Sequence, residues 1–313
     1  MAKRRLKKDV IPKMGGIIIL IIIIISVIKT INYRRTDEFK LKELGYDKTQ
    51  IEFILKQEKY QIENILNRPY NEVMIKLYEE KYFIYENLDR YLAYYEKNQK
   101  DSLSHIVSIV NVNADYEHYD EKIINNADVS KGYLMLVNKY NKLDENYEVE
   151  DLVTVSNWYC YGKNELQKEA YENFLEMYKA ASEENLKLII NSSYRDYNYQ
   201  KKLYNTYKNN NGLEYADGYA ARAGHSEHQT GYTIDLISKD PDNEDYALTG
   251  EYEWLVKNAH KYGYILRYPE GKEDITGYNY EPWHYRYEGV EVATKIHELG
   301  ITFDEYYAYY LNK

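Results

Sequence analysis

Asp235 interrupts an otherwise apolar, β-branched run, Thr233-Ile234-Asp235-Leu236-Ile237, and no residue restricts the fold of this chain more. The composition of the run predicts a strand with a carboxylate at its centre. An ionised acid in such a place is costly unless it is paired or bound to a cation. The fold must therefore deliver a counter-charge or a metal ion to that point.

The candidates for a metal shell are few. Cys160 is the only cysteine, so no disulfide can form within the chain and no thiolate cluster can hold a metal. Any site must use His, Asp or Glu. Three short segments concentrate such residues: Ser192 to Gln200 (SSYRDYNYQ), which follows the apolar run Leu186–Ile190; Gly224 to Asp235 (GHSEHQTGYTID); and Glu281 to Tyr287 (EPWHYRY). A hydrolytic zinc site takes three N or O ligands and keeps one position open. His228, Asp235 and His284 can supply that set. Glu281 stands three residues before His284 in an extended, proline-containing stretch, from which it can reach a metal-activated water without ligating the metal. Taken alone, each signal has a plainer reading: Asp235 as a paired core acid, Trp283 as packing, a lone histidine as a satisfied core group. His225 is read in that plainer way, because His228 is better placed relative to Asp235. So are His105, His118, His260 and His297, which have no supporting cluster.

Around these segments, helices and strands occur in mixed order. There is neither βαβ regularity nor a glycine-rich phosphate loop, which favours an α+β fold over a doubly wound sheet. Leu166, Ala170, Phe174, Met177 and Ala181 repeat at helical spacing. Leu186–Ile190 and Tyr264–Tyr268 read as strands. Trp254–Tyr262, Val290–Leu299 and Phe303–Leu311 read as helices. Upstream, residues 36–100 carry the three-and-four spacing of amphipathic helices, with breaks at Leu44-Gly45-Tyr46-Asp47 and Asn67-Arg68-Pro69-Tyr70, and a third helix is predicted over 71–98. His105 to Val112 (HIVSIVNV) is predicted to be a strand. Forty tyrosines, with abundant Ile, Lys and Asn, are read as coding bias rather than function.

Charge is unevenly spread. The formal net charge is -10. Residues 1–35 hold nine basic side chains against one acid, Asp9, leaving an acidic body. An acidic body excludes nucleic acid as a partner, since that binding rests on phosphate neutralisation. The uncharged run Met14–Ile28 is mostly isoleucine and is flanked by basic residues, more of them on its N-terminal side. It is expected to be an uncleaved, single-pass transmembrane anchor with a cytoplasmic N-terminus, since no small-x-small cleavage site follows it. The expected organisation is a basic tail and anchor over 1–35, a helical stalk over 36–125 and a catalytic domain over 126–313, on the cell membrane and facing outward.

The three segments together resemble the VanY-type D-alanyl-D-alanine carboxypeptidases, zinc peptidases related to lysostaphin-like and hedgehog-like domains. The family patterns are close to S-x-Y-R-S-x-x-x-Q, S-x-H-x-x-G-x-A-x-D and E-P-W-H-x-R-Y. This chain departs only at Asp196 and Thr233, where the family has serine and alanine. The resemblance runs from about Leu134 to the C-terminus. It implies an α+β domain whose small, mainly antiparallel sheet, flanked by helices, carries Zn2+ on His228, Asp235 and His284. It further implies Glu281 as the catalytic base, Arg195 as the group holding the substrate, and Gln200, Ser226 and Trp283 as pocket members. The implied substrates are peptidoglycan stem peptides, with removal of the terminal D-Ala. An L,D-carboxypeptidase acting on tetrapeptide stems and a non-catalytic, zinc-bearing wall-binding module are the alternatives. A retired enzyme is expected to lose its base or a ligand, and here all four positions are filled. Arg286 is a rival anion binder that reads equally as packing.

Overall fold

The computed structural model describes residues 10–238 and 245–312, with side chains from Ile18. The chain divides into two compact units, one ending at Glu79 and the other beginning at Glu80.

The first unit is helical. It comprises Val10–Arg34, Asp37–Leu44, Lys48–Ile54, Lys59–Leu66 and Glu72–Tyr78. The break predicted after Leu44 is a left-handed cap at Gly45 (φ 108°), followed by Asp47, which forms a capping box with Gln50. After Leu66, Asn71 caps the next helix by accepting from the Met74 amide at 2.9 Å. The transmembrane expectation is corrected: among the described residues no helix is long and apolar enough to cross a membrane. The uncharged run in the sequence, Met14–Ile28, is bounded by Lys13 and Lys29, short of the ~20 residues that a span needs.

Two further predictions change in the second unit. The helix predicted over 71–98 is broken between Tyr78 and Leu88, apart from one 3-10 turn at Tyr85–Asn87. There, side chains satisfy the backbone: Asn111 Nδ2 donates to the Tyr82 carbonyl at 2.8 Å, and the Ile84 amide donates to the Tyr91 hydroxyl at 3.2 Å. The HIVSIVNV run is a helix, Leu103–Asn111, not a strand. Ser102 caps it by accepting from the His105 amide, and Arg90 donates to the Val110 carbonyl near its C-terminal end. Its β-branched residues Ile106, Val107, Ile109 and Val110 are buried against neighbouring helices, so tertiary packing overrides a weak local preference.

The fold is α+β. The sheet that organises it has four strands: β1 (Ile189–Ser192), β2 (Thr233–Ile237), β3 (Tyr264–Leu266) and β4 (His284–Tyr287). Their order is β1-β2-β4-β3, and every pairing is antiparallel. The helix expected from the Leu166–Ala181 spacing begins later, at Lys168–Glu183, because Leu166 lies in the short strand Glu165–Gln167; the helix lays Ala170, Phe174, Met177 and Ala181 on the sheet. These residues join Leu188, Ile190, Ile234, Leu236, Tyr264 and Tyr285 in the main core. Tyr264 adds a hydrogen bond from its hydroxyl to the Ala170 carbonyl at 2.7 Å. With one face buried, the period-2 alternation of β2 fixes which way Asp235 points.

Candidate active site

Asp235 and His284 are direct cross-strand partners on the two central strands, so the sheet register itself brings them together. His284 Nδ1 lies 3.0 Å from Asp235 Oδ1. His228 arrives from a 3-10 turn, Glu227–Thr230, just before β2. That turn closes on Gly231 at φ 76°, where an added Cβ would fall 2.7 Å from Val149 Cγ1. Both the backbone conformation and the close approach therefore demand glycine. His228 Nδ1 donates to the Ser193 carbonyl at 2.6 Å, which fixes the tautomer and turns Nε2 toward Asp235 Oδ2, 3.3 Å away. One potential ligand atom from each of His228, Asp235 and His284 lies within 4.8 Å of the others.

The electrostatics suit a cation. Burial, reinforced by the Arg195 charge, lowers the His228 pKa to about 4, so its imidazole is neutral and able to ligate. Its Nε2 is buried and makes no hydrogen bond, a costly state for a polar atom unless something binds it. Burial works against a charged His284, but hydrogen bonds to Asp235 and Glu227 win and raise its pKa to about 9. In the absence of a metal, a proton on His284 thus supplies the positive charge that the acids require. The donor set of two imidazoles and one carboxylate fits zinc.

Glu281 is buried beside this group, with Oε2 3.6 Å from His284 Nδ1, and burial raises its pKa to about 8. Its backbone is held by the Tyr268 carbonyl, which accepts from the Glu281 amide at 3.1 Å. Arg195 follows β1. Its Nη1 donates to Ser192 Oγ at 3.3 Å and stands 3.9 Å from Asp235 Oδ2, while its Nε makes no hydrogen bond. Gln200 is held by donation from Nε2 to the Ala221 carbonyl at 2.8 Å, leaving its buried Oε1 without a partner. Ser226 precedes the 3-10 turn, and Trp283 precedes β4. All eight residues singled out from the sequence line one cleft of about 1070 Å³.

The histidines read as structural lie elsewhere. His225 bonds the Asn138 carbonyl at 2.8 Å and meets Tyr119 edge-on. His105 pairs with Asp274, and His260 stacks on His297 at 3.8 Å. Arg286 is fully buried, donates to the Tyr133 and Met135 carbonyls and stands 3.5 Å from Glu227 Oε1, so it supports a buried acid and does not line the cleft.

Glu227 is the residue that the sequence reading passed over. It is fully buried, with Oε2 3.4 Å from His284 Nε2 and Oε1 accepting from Arg267 Nε at 2.7 Å. Burial opposes its ionisation, but Arg267 and Arg286 hold its pKa down at about 2. The carboxylate thus takes the Nε2 proton of His284 as a hydrogen bond and leaves Nδ1 facing Asp235. Arg267 is anchored in turn by Asp304 at 2.5 Å. The available signal was an acid next to His228 within a polar motif, together with an arginine, Arg267, at the end of an apolar strand.

An aspartate and a histidine on paired strands, a second histidine on the turn before β2, and a carboxyl group and an arginine beside them define a metal-dependent hydrolase site. Residues 163–290 match the family described as VanY, D-alanyl-D-alanine carboxypeptidase, and the chain belongs to that family. It is 33% identical over 224 residues to a D-alanyl-D-alanine carboxypeptidase of Enterococcus faecium, across 69% of this chain and 68% of the relative. Matched stretches span about two thirds of the length of the first three curated relatives. Among solved structures, the LdcB LD-carboxypeptidase superposes with a TM-score of 0.56 at 36% identity, covering 59% of this chain and 90% of its own. VanYB in complex with D-alanine-D-alanine superposes with a TM-score of 0.50 at 32% identity, covering 58% and 98%.

Proposed function

We propose that this chain is a zinc-dependent D-alanyl-D-alanine carboxypeptidase that removes the terminal D-Ala from peptidoglycan stem peptides. The observation that carries the reading is the convergence of His228, Asp235 and His284 with Glu281 and Arg195 in one cleft. His228, Asp235 and His284 hold the zinc, and Glu227 keeps His284 in the ligating tautomer. Zinc bound there supplies a Lewis acid that polarises the scissile carbonyl and activates water. Glu281, buried and with a raised pKa, accepts the water's proton and delivers it to the leaving amine. Arg195, planar and permanently charged, pairs with the free C-terminal carboxylate. That pairing makes the enzyme an exopeptidase. Gln200 and Ser226 offer polar contacts to the peptide, and Trp283 offers an apolar wall. Stem peptides lie outside the cell, so the catalytic unit acts there.

A second reading, L,D-carboxypeptidase action on tetrapeptide stems, draws on the 36% identity to an LD-carboxypeptidase. Incubating the zinc-loaded protein with a stem pentapeptide ending in D-Ala-D-Ala, and with the matching tetrapeptide, separates the two. Loss of one alanine from the pentapeptide, abolished by a chelator, supports the first reading. Cleavage of the tetrapeptide alone transfers the assignment to the second. Cleavage of neither by zinc-loaded protein rejects both.

A further inference from the structure

A cleft of about 1070 Å³ has room for more than two alanine residues, and part of its wall is built from tyrosine. Its wall is formed by two consecutive helices, Tyr197–Asn211 and Leu213–Tyr219. Tyr199, Leu203 and Tyr207 recur every fourth residue, so one stripe of the first helix faces the cleft. Tyr215 and Tyr219 do the same on the second. The rings form a continuous run, with centroids of Tyr219 and Tyr215 4.9 Å apart and those of Tyr215 and Tyr207 6.2 Å apart. The bond from Gln200 to the Ala221 carbonyl ties the end of the second helix to the start of the first. The run therefore begins beside Gln200 and leads away from Arg195. Tyr215 and Tyr219 are 45% and 40% exposed, so their rings are available to a ligand.

Charge and length decide what that ligand is. None of the residues these helices give to the cleft is charged, whereas the stem peptide itself carries charged residues. A wall of neutral rings with polar tips matches a neutral ligand that has apolar faces and a hydroxyl rim. Tyr207 lies about 15 Å along its helix from the first turn, at ~1.5 Å per residue. An extended pentapeptide spans about 17 Å at ~3.3 Å per residue. With its terminal carboxylate on Arg195, an extended pentapeptide stem is long enough to bring its far end to Tyr207. The group attached at that end in a cell wall is a sugar.

We propose that Tyr207, Tyr215 and Tyr219 form a saccharide subsite that stacks on the neutral, N-acetylated sugar bearing the stem. The enzyme thereby prefers glycan-linked peptide over free peptide. This rests on the carboxypeptidase reading of the cleft.

The test compares the zinc-loaded full chain on free stem pentapeptide and on the same pentapeptide linked to its disaccharide. The expected kcat/KM is about tenfold higher for the linked substrate. Tyr207→Ala with Tyr215→Ala should abolish that preference while changing the free peptide rate less than about twofold. The single, exposed Tyr215→Ala serves if the double variant folds poorly. No preference in the parent protein, a preference that survives substitution, or equal losses on both substrates would each overturn the subsite. Calorimetric titration of the disaccharide alone into Glu281→Gln gives a readout independent of turnover. Heat lost with the tyrosines supports the subsite even if neither peptide is cleaved, an outcome that would instead sink the carboxypeptidase reading. No heat from the parent rejects the subsite.

Discussion

The metal-site floor of the cleft and its tyrosine wall are built on opposite principles. On the floor, ionisable side chains are buried and held: His228 by Ser193, His284 by Asp235 and Glu227, and Glu227 by Arg267, which Asp304 holds in turn. On the wall, neutral rings stand partly exposed on two helices and pair with one another, Tyr207 with Tyr215 and Tyr215 with Tyr219. Chemistry needs groups fixed in position with shifted proton affinities, which burial and partners supply. Recognition of a neutral ligand needs area and shape, which exposed tyrosines provide at little entropic cost.

The comparison breaks most visibly at Glu281. Glu281→Gln should lower kcat by about 10²–10⁴ while zinc stoichiometry, read by metal analysis, stays the same. Retention of full turnover would remove Glu281 from the mechanism. Arg195→Ala comes next. It should cost about 10²-fold in kcat/KM on peptides with a free terminal carboxylate and far less on C-terminally amidated ones. Equal losses on both would rule out the clamp. Glu227→Gln keeps the shape but removes the charge that orients His284. It should weaken zinc affinity about 10- to 100-fold, measured by competition with a chromogenic chelator. Unchanged affinity would show that the floor does not depend on its buried ion pairs.

A smaller effect should appear with pH. His225 is buried, and burial lowers its pKa to about 4 from an ordinary 6.5. The unfolded chain therefore binds more protons than the folded one between those values, and stability falls as pH drops from about 6.5 toward 4. Thermal melts across that range should decline, and His225→Gln should flatten the decline. An unaltered slope would place its origin in other groups.

Much of the floor was legible in the chain. An acid inside an apolar β run needed a partner, and His228, His284 and Glu281 lay in the two polar segments able to supply one. The core face of Lys168–Glu183 was equally visible, because its period of 3.6 survives any tertiary context. Glu227 was missed because its significance lies in Arg267, forty residues on, and no local pattern joins the two. The helix at Leu103–Asn111 was missed for a related reason. Its β-branched residues favour a strand locally, but packing against neighbouring helices outweighs that preference. The transmembrane expectation rested on an uncharged, isoleucine-rich run with basic flanks, yet Lys13 and Lys29 bound that run too closely for a span, and among the described residues no helix is long and apolar enough to cross a membrane.

By itself the sequence determined the candidate ligand types, their spacing and the strand that carries Asp235, because alternation and the cost of a buried charge are local properties. Only the tertiary structure decided which tyrosines line the cleft together. Composition alone made all forty look like background. Helix pairing gathers Tyr207, Tyr215 and Tyr219 into one run beside Gln200, because a side chain's exposure and neighbours depend on which helix face is left uncovered.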